Sequence, residues 1–424
     1  MVAVADDMNA VAEQYVKLVL AVGQHDADYV DAYYGPPGWR TEAEASKAPL
    51  QAIDEGARVL LARLAEASPP AGAEEMLGLR HQYLTRQVES LRARVAMLRG
   101  TRLRFDDESK ALYDAVAPTH TDADFEEVLQ SLGRGLPGDG PLLARYDAFR
   151  NRFVIPSDRL DRVFTAAIDA CRTRTLAQIA LPPEERFTVE YVTNRSWSGY
   201  NWYQGHYRSV IQVNTDLPIF IDRAIDLACH EGYPGHHVYN ALLEKHLMRD
   251  RGWLEYSVYP LFSPQSLVAE GTANFGIEVA FSKVDRLAFE QQTLFPLAGL
   301  DPATAGRYYD VLALVDRLSY AGNEAARRYL NGEIDVQAAA GWLERYSLYT
   351  PPRAAQRMRF IDQYRSYVIN YNLGRDIVAE YIASKGGTAE HSDRRWSEFA
   401  RLLSSPRLPS GLRVSGAESG VPHQ

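Results

Sequence analysis

The sequence has few cysteines, no long apolar run and no excess of positive charge, and each shortage argues against a class of protein. Its 424 residues include 2 cysteines, Cys171 and Cys229, which are too few for a disulfide framework and fit a reducing compartment. The net charge of −9 argues against nucleic acid as a partner, because phosphate binding requires a basic surface.

Membrane and export signals are also missing. No apolar run reaches the roughly 18 residues that a membrane-spanning helix needs, so no membrane contact is predicted. The N-terminus, M-V-A-V-A-D-D-M-N, carries acids where a signal peptide has positive charge followed by an apolar run. A cytoplasmic protein is therefore expected.

Most of the chain shows helical periodicity. Apolar residues recur at three- and four-residue spacing from residue 8 onward, and breakers such as Y-Y-G-P-P-G separate the segments. The predicted helices cover residues 8–34, 49–66, 73–100, 122–132, 158–180, 218–248, 264–282, 302–330, 334–346, 351–384 and 391–404.

The periodicity changes near residue 186. Residues 187–193 and 207–215 alternate apolar and polar side chains and are rich in β-branched types, with an aromatic insert between them. The predicted fold is mainly α with one small β-sheet. We expect an N-terminal helical lobe (1–184), a catalytic lobe (185–404) and a flexible tail rich in Pro, Gly and Ser (405–424).

The segment L-A-C-H-E-G-Y-P-G-H-H-V-Y at 227–239 is the centre of the sequence. His230, His236, His237 and His246 are four of the ten histidines in the chain, and Glu231 directly follows the first. A histidine followed by glutamate on a helix, with a further histidine downstream, is typical of zinc hydrolases. Neutral imidazoles bind the metal, and the adjacent carboxylate accepts a proton from the attacking water.

The spacing of the histidines requires a distorted helix. On a regular helix, residues six apart lie on different sides and about 9 Å apart along the axis. Pro234 and Gly235 lie between His230 and His236, and both residues interrupt helices. We interpret the pair as a bulge that brings His236 to the second ligand position, with His237 as the alternative ligand.

A third metal ligand is predicted from a later helix. Glu270 lies within an apolar helical run, and a buried acid requires a partner or a metal. An ion pair with an arginine is the structural alternative. Asn274 lies one turn further along and is placed to orient Glu270 or a histidine. Glu278 is the alternative ligand.

At the level of motifs, the chain resembles a bacterial family of zinc metallohydrolases, long catalogued as a domain of unknown function, with the signature H-E-x-x-P-G-H-H. The matching segments are Y-Y-G-P-P-G-W at 33–39, S-G-Y-N-W-Y at 198–203, V-N-T-D-L-P at 213–218, H-E-G-Y-P-G-H-H at 230–237, E-G-T-A-N-F at 270–275 and S-Y-V-I-N-Y-N-L-G at 366–374. That family is similar to the gluzincin peptidases, which are two-lobed helical metalloproteases with a central cleft.

The resemblance implies roles for individual residues. His230, His236 and Glu270 would bind a zinc ion (Zn2+), and Glu231 would be the general base. Tyr371, in the N-Y-N-L-G element, would stabilise the oxyanion. In gluzincins an aromatic residue often follows the E-G pair, whereas this chain has Thr272.

Further residues are candidates for substrate binding. Tyr364, Tyr367, Tyr371 and Arg375 share one helical face, and Arg375 or Arg365 is suited to a substrate carboxylate. Tyr200 and His206 lie in the aromatic insert, where a gluzincin holds an extended peptide by an edge strand. His237 completes the predicted substrate contacts, and Cys229 is expected to pack in the core.

The sequence therefore predicts a zinc-dependent hydrolase of amide or peptide bonds that acts on short peptides. Two alternatives remain open at this point. One is a zinc-dependent hydrolase or lyase of a non-peptide metabolite, which the aromatic insert would also suit. The other is a non-catalytic protein with a structural metal, although structural zinc sites use four protein ligands and favour cysteine.

Overall fold

The computed structural model describes residues 2–67, 69, 72 and 74–413 and confirms a mainly helical fold with small sheets. The N-terminal helices pack through apolar stripes: α3, for example, buries Ile53, Ala57, Leu60 and Leu64 at helical spacing. The helices before the sheet are α1 (Val2–Val22), α2 (Pro37–Ser46), α3 (Leu50–Glu66), α4 (Glu75–Leu98), α5 (Phe105–Tyr113), α6 (Asp122–Gly135), α7 (Leu142–Arg150) and α8 (Leu160–Leu176).

Five strands form two small sheets. They are β1 (Val30–Tyr33), β2 (Arg186–Val192), β3 (Gly199–Gly205), β4 (Arg208–Asn214) and β5 (Val258–Pro260). In the three-stranded sheet β4 is central, parallel to β2 and antiparallel to β3. The predicted aromatic insert is thus itself a strand, and β3 lies at the edge of the sheet.

The predicted helix 8–34 is wrong at its C-terminal end. Helix α1 ends at Val22, and residues 30–33 form β1, which pairs antiparallel with β5. The partner strand lies more than 220 residues further along the chain, so local periodicity carries no sign of the pairing.

The helices after the sheet surround the predicted motif. Two of the longer predicted helices are interrupted, one at residues 317–320 and one at Arg365, which has a positive φ of 52°. The helices are α9 (Asp222–Leu227), α10 (His236–Leu243), α11 (Pro264–Ala280), α12 (Lys283–Phe289), α13 (Phe295–Ala298), α14 (Ala305–Asp316), α15 (Ala321–Leu330), α16 (Val336–Tyr346), α17 (Pro351–Tyr364), α18 (Ile369–Ser384), α19 (Ser392–Leu403) and α20 (Pro409–Leu412).

Helices α11 and α18 form the closest helix pair around the motif. They meet at Gly271 and Gly374, where a methyl group on Gly271 would lie 2.4 Å from the carbonyl oxygen of Gly374. Two glycines let the backbones approach this closely, because no Cβ atom separates them. Glu270 on α11 thereby meets Tyr367, in the turn before α18, and Asn274 meets Tyr371 of α18.

The buried core is continuous across the predicted domain boundary. Apolar residues from both sides of residues 184–185 share one cluster, and the boundary falls in the turn before β2. Within the predicted tail, α20 buries Leu412, and residues 414–424 lie outside the described part of the chain. Among the described residues, no helix combines the length and apolar character needed to cross a bilayer.

The two cysteines differ from the sequence expectation. Cys171 on α8 and Cys229 in the turn after α9 are joined by a disulfide and are both buried. The bond closes a loop between residues 58 positions apart, so sequence proximity gives no hint of it. Cys229 is in the core, as expected, but it does not pack there as a free thiol.

Candidate metal centre

The helix that carries the motif is broken between His230 and His236. Helix α9 passes into a wider turn at residues 228–232, and a new helix, α10, begins at His236. At the break, the N–H of Gly235 donates to the carbonyl oxygen of Cys229 at 2.9 Å. A Cβ atom on Gly235 would lie 1.9 Å from the carbonyl oxygen of His230, so the break requires glycine.

The break brings His230 and His236 together with Glu270 of α11. The Nε2 atoms of the two imidazoles lie 3.1 Å apart. Oε2 of Glu270 lies 3.2 Å from Nε2 of His230 and 3.7 Å from Nε2 of His236. These three side chains form a buried group that can hold a metal ion.

The three ligand atoms, separated by 3.1, 3.2 and 3.7 Å, lie close to the spacing of ligands around a tetrahedral cation. Zinc binds imidazole nitrogen and carboxylate oxygen at about 2.0–2.2 Å, which separates tetrahedral ligand atoms by about 3.3–3.6 Å. Oε2 of Glu270 is buried and lacks a hydrogen-bond donor among the described residues. A buried carboxylate oxygen without a donor, facing two ring nitrogens, fits a bound cation.

Asn274 fixes the orientation of His230. Its Oδ1 lies 3.0 Å from Nδ1 of His230, and its Nδ2 donates to the carbonyl oxygen of Tyr371 at 3.0 Å. Because the amide nitrogen is used on Tyr371, Oδ1 faces the imidazole and accepts the Nδ1 proton. His230 therefore presents the lone pair of Nε2 to the group, as a metal ligand must.

The electrostatics of the group favour a cation. Burial opposes ionisation of Glu270, but His236 and His230 hold the pKa of its carboxyl well below the usual range. Burial also lowers the pKa of His236, yet Glu270 and Glu231 outweigh that effect and raise it to about 9. Positive charge is thus stabilised between these side chains even before a metal is considered.

Glu231 lies beside the group without joining it. Its Oε1 is 4.0 Å from Nε2 of His230, and its side chain is buried. Burial raises the pKa of this carboxyl, and His230 only partly offsets the effect. A carboxylate with a raised pKa next to a candidate metal group is suited to accept and return a proton.

The group opens into a cavity of about 1210 Å³. Its walls include Glu231, Tyr200, Tyr367, Tyr371 and Arg375, all of which the sequence nominated. The cavity exceeds the 300–1,000 Å³ that is common for small-molecule sites. It is large enough for a short peptide.

The two predicted tyrosines of the 366–374 segment have different environments. The hydroxyl of Tyr367 donates to Oε1 of Glu270 at 2.8 Å, so Tyr367 supports a candidate ligand. The ring of Tyr371 lies 5.8 Å from that of Tyr367, and its hydroxyl makes no hydrogen bond to any residue described. Tyr371 therefore keeps a free donor in the cavity wall.

His237 and His206 are not brought to the group. Nε2 of His237 is 2.9 Å from Glu185, Nδ1 is 2.9 Å from Ser209, and the side chain is fully buried. Its position suits neither a metal ligand nor a substrate contact, because both ring nitrogens are occupied. His206 is exposed in the turn between β3 and β4, where Arg249 donates to its Nδ1.

Two other nominated side chains already have partners. Nη1 of Arg375 donates to both carboxylate oxygens of Asp316 at 3.1 Å, and Nε donates to Asp376 at 3.3 Å, so two of its three nitrogens are already used. Glu278 is exposed, lies 3.6 Å from Arg395, and does not belong to the metal-binding group. The structure thus favours Glu270 over Glu278 as the carboxylate ligand.

Asp31 is a cavity residue that sequence reasoning missed. It lies on β1, inside the segment predicted as helix, and it accepts a hydrogen bond from the hydroxyl of Tyr200. Desolvation raises the pKa of Asp31 to about 6, although the bond from Tyr200 lowers it. The available signal was an acid two residues before the Y-Y-G-P-P-G-W segment, but the helical periodicity predicted a helix there.

The fold and the site together define a mainly helical protein with a candidate metal centre. No family model matches the chain, and no curated protein matches it in sequence. Family membership therefore stays a prediction that rests on the motifs.

Several solved structures are similar in fold. A protein named CHT shares 13% identity and a TM-score of 0.50, with 98% of this chain and 94% of that chain covered. A protein from Colwellia psychrerythraea described as a candidate lipoprotein has 14% identity, a TM-score of 0.49, and coverage of 88% and 70%. An M32 carboxypeptidase from Deinococcus radiodurans R1 has 15% identity, a TM-score of 0.39, and coverage of 94% and 88%. At these identities the likeness concerns the fold alone.

Proposed function

We propose that the protein is a zinc-dependent hydrolase of amide or peptide bonds that acts on short peptides. The observation that supports it most directly is the position of Glu231, a buried carboxylate 4.0 Å from a ring nitrogen of the His230, His236 and Glu270 group. A zinc ion held by that group would act as a Lewis acid that polarises the scissile carbonyl and acidifies water.

The residues around the group supply the remaining steps. Glu231 takes the proton from the attacking water and returns it to the leaving amine. Tyr371, whose hydroxyl has no partner among the described residues, donates to the oxyanion as it develops. Asn274 and Tyr367 hold His230 and Glu270 in place by the hydrogen bonds described above.

The number of ligands supports a catalytic site over a structural one. Structural zinc sites are closed by four protein ligands, whereas catalytic sites use three and leave a position open. Within the described part of the chain, the group holds three such residues and borders a cavity of about 1210 Å³. The disulfide removes both cysteines from the possible ligands.

A peptide library tests the proposal. The zinc-loaded protein is incubated with di- and tripeptides, and kcat/KM is measured for each peptide that is cleaved. We expect Glu231→Gln to lower kcat/KM by about 10²-fold or more while zinc content stays unchanged, because only proton transfer is removed. Tyr371→Phe should lower kcat by about 10-fold or more with little change in KM.

Glu278→Gln provides the matched control. It makes the same chemical change on the cavity wall, at an exposed position beside Arg395, and should leave kcat/KM within about twofold. Hydrolysis by Glu231→Gln at the wild-type rate would contradict the mechanism. Turnover of non-peptide amides without any peptide cleavage would point to the metabolite alternative.

A further inference from the structure

The arginines that line the cavity fall into two groups. Arg375 is held by Asp316, and Arg223 lies 3.3 Å from Asp226. By contrast, Arg353 and Arg357 on α17 form no ion pair with any carboxylate among the described residues, although both line the cavity.

Arg357 is held by aromatic rings instead of by a charge. Its guanidinium carbon lies 4.8 Å from the ring centre of Phe360 and 5.9 Å from that of Tyr371. Its Nε is buried and has no hydrogen-bond partner among the residues described. A guanidinium in a cavity wall with no carboxylate partner favours an anionic ligand, because its positive charge is not neutralised by the protein.

Arg353 adds a second positive charge to the cavity wall near Arg357. Its guanidinium carbon lies 4.8 Å from the ring centre of Tyr349, which also lines the cavity. Burial raises the pKa of Tyr349, but Arg353 and Arg357 outweigh it and hold that pKa below the ordinary value. Both guanidinium groups are thus close enough to Tyr349, in the cavity wall, to lower its pKa.

The part of the cavity wall that Arg357 and Arg353 form is connected to the candidate metal centre by direct contacts. Arg357 packs on Tyr371, the rings of Tyr371 and Tyr367 are 5.8 Å apart, and Tyr367 donates to Glu270. A ligand anion beside Arg357 would therefore lie in the same cavity as a peptide bond positioned at the candidate metal group.

We propose that Arg357 and Arg353 form a subsite for the free carboxylate of a short peptide substrate. The planar guanidinium fork matches a carboxylate, and the aromatic packing fixes its orientation. The inference rests on the proposed hydrolase function, and it narrows the substrate class to peptides with a free C-terminal carboxyl group close to the cleaved bond.

Binding is tested separately from hydrolysis. A library of N-acetyl dipeptides with free carboxyl groups and a matched library of their C-terminal amides are applied to the full-length, zinc-loaded Glu231→Gln variant. Equilibrium dialysis with mass spectrometry measures retention of each. We expect the acids to bind about tenfold more tightly than the amides, and Arg357→Gln or Arg353→Gln to reduce that preference to about twofold or less.

Arg359→Gln is the matched control. Arg359 lies on the same helix and is exposed outside the cavity, so the variant should keep the tenfold preference. Arg357→Lys keeps the charge but loses the fork and should retain an intermediate preference. Thermal melts verify folding, and the acid preference of the chain with both arginines intact is decisive even where an arginine variant fails to fold.

The outcomes separate the two proposals. Equal binding of acids and amides, no binding of either, or a preference that survives loss of both arginines would overturn the subsite. Hydrolysis of both libraries at equal rates by the protein with Glu231 would overturn the subsite and leave the hydrolase standing. Acid-selective binding that the arginine variants abolish, with no hydrolysis of either library, would support the subsite and overturn the hydrolase.

Discussion

Asn274 is hydrogen-bonded to His230, with its Oδ1 3.0 Å from Nδ1 of the imidazole, while its amide nitrogen donates to the carbonyl oxygen of Tyr371. The second bond fixes which end of the amide faces the histidine. The first then fixes the tautomer, so that Nε2 of His230 is free to bind a cation. One side chain of α11 thus prepares a ligand on the motif and ties it to α18.

The first prediction concerns this bond. Asn274→Ala should lower zinc affinity about 10- to 100-fold, because His230 loses the acceptor that fixes its ring. Asn274→Asp keeps an acceptor and should stay within about threefold of wild type. Competition with a chromogenic chelator measures both, and Asn151→Ala, at an exposed position of the cavity wall, is the control. An unchanged affinity in Asn274→Ala would show that the bond does not orient the ligand.

The second prediction concerns the close approach of α11 and α18. Gly271→Ala should lower the free energy of unfolding by about 1–3 kcal/mol, since the added methyl would lie 2.4 Å from the carbonyl oxygen of Gly374. Zinc affinity should fall as well, because α11 carries Glu270, and Tyr367, which donates to Glu270, lies in the turn directly before α18. Gly341→Ala, on α16 with nothing within 4 Å, should be neutral or raise that free energy by up to about 1 kcal/mol. Equal denaturation midpoints for the two variants would refute the packing argument.

The third prediction concerns pH and the buried Glu290. Burial raises the pKa of Glu290 to about 7, although Arg286 at 3.0 Å lowers it. The folded protein therefore keeps a proton that the unfolded chain releases at its ordinary pKa near 4.5, so stability falls as pH rises between these values. The contribution amounts to about 3 kcal/mol at most.

Glu290→Gln removes this titration. The free energy of unfolding of the variant, relative to wild type, should rise by about 1–3 kcal/mol between pH 4.5 and pH 8. Denaturant titrations at both pH values measure the difference, and taking the difference between the two pH values cancels any pH-independent effect of the substitution. Glu42→Gln, at an exposed position, should show no such rise. A relative stability that is constant with pH would contradict the assignment.

The sequence was most informative where the chemistry is local. The histidines, Glu231 and the Pro-Gly break lie within eight residues, so their spacing alone predicted a distorted helix and a ligand pair. Glu270 was nominated because an acid within an apolar helix needs a partner. The structure brings His230, His236 and Glu270 together in one buried group.

The sequence was least informative where a partner is distant. Arg375 and Arg365 were nominated as carboxylate-binding residues, yet Asp316 and Glu108 occupy them. Which arginine lacks a partner depends on carboxylates up to 257 residues away, and a linear pattern does not contain that information. The position of Asp31 in the cavity could not be predicted for the same reason, because its strand β1 forms by pairing with the distant β5.

Zinc content is the most direct measurement of the central claim, which is that His230, His236 and Glu270 hold one metal ion. Wild-type protein dialysed against zinc and then against buffer should retain about one equivalent by elemental analysis, and His230→Gln, His236→Gln and Glu270→Gln should each retain less than about 0.1. His246→Gln makes the same change at a partly exposed histidine paired with Asp250, and should retain about one equivalent. A wild-type protein that retains no zinc, or ligand variants that retain as much as wild type, would contradict the account.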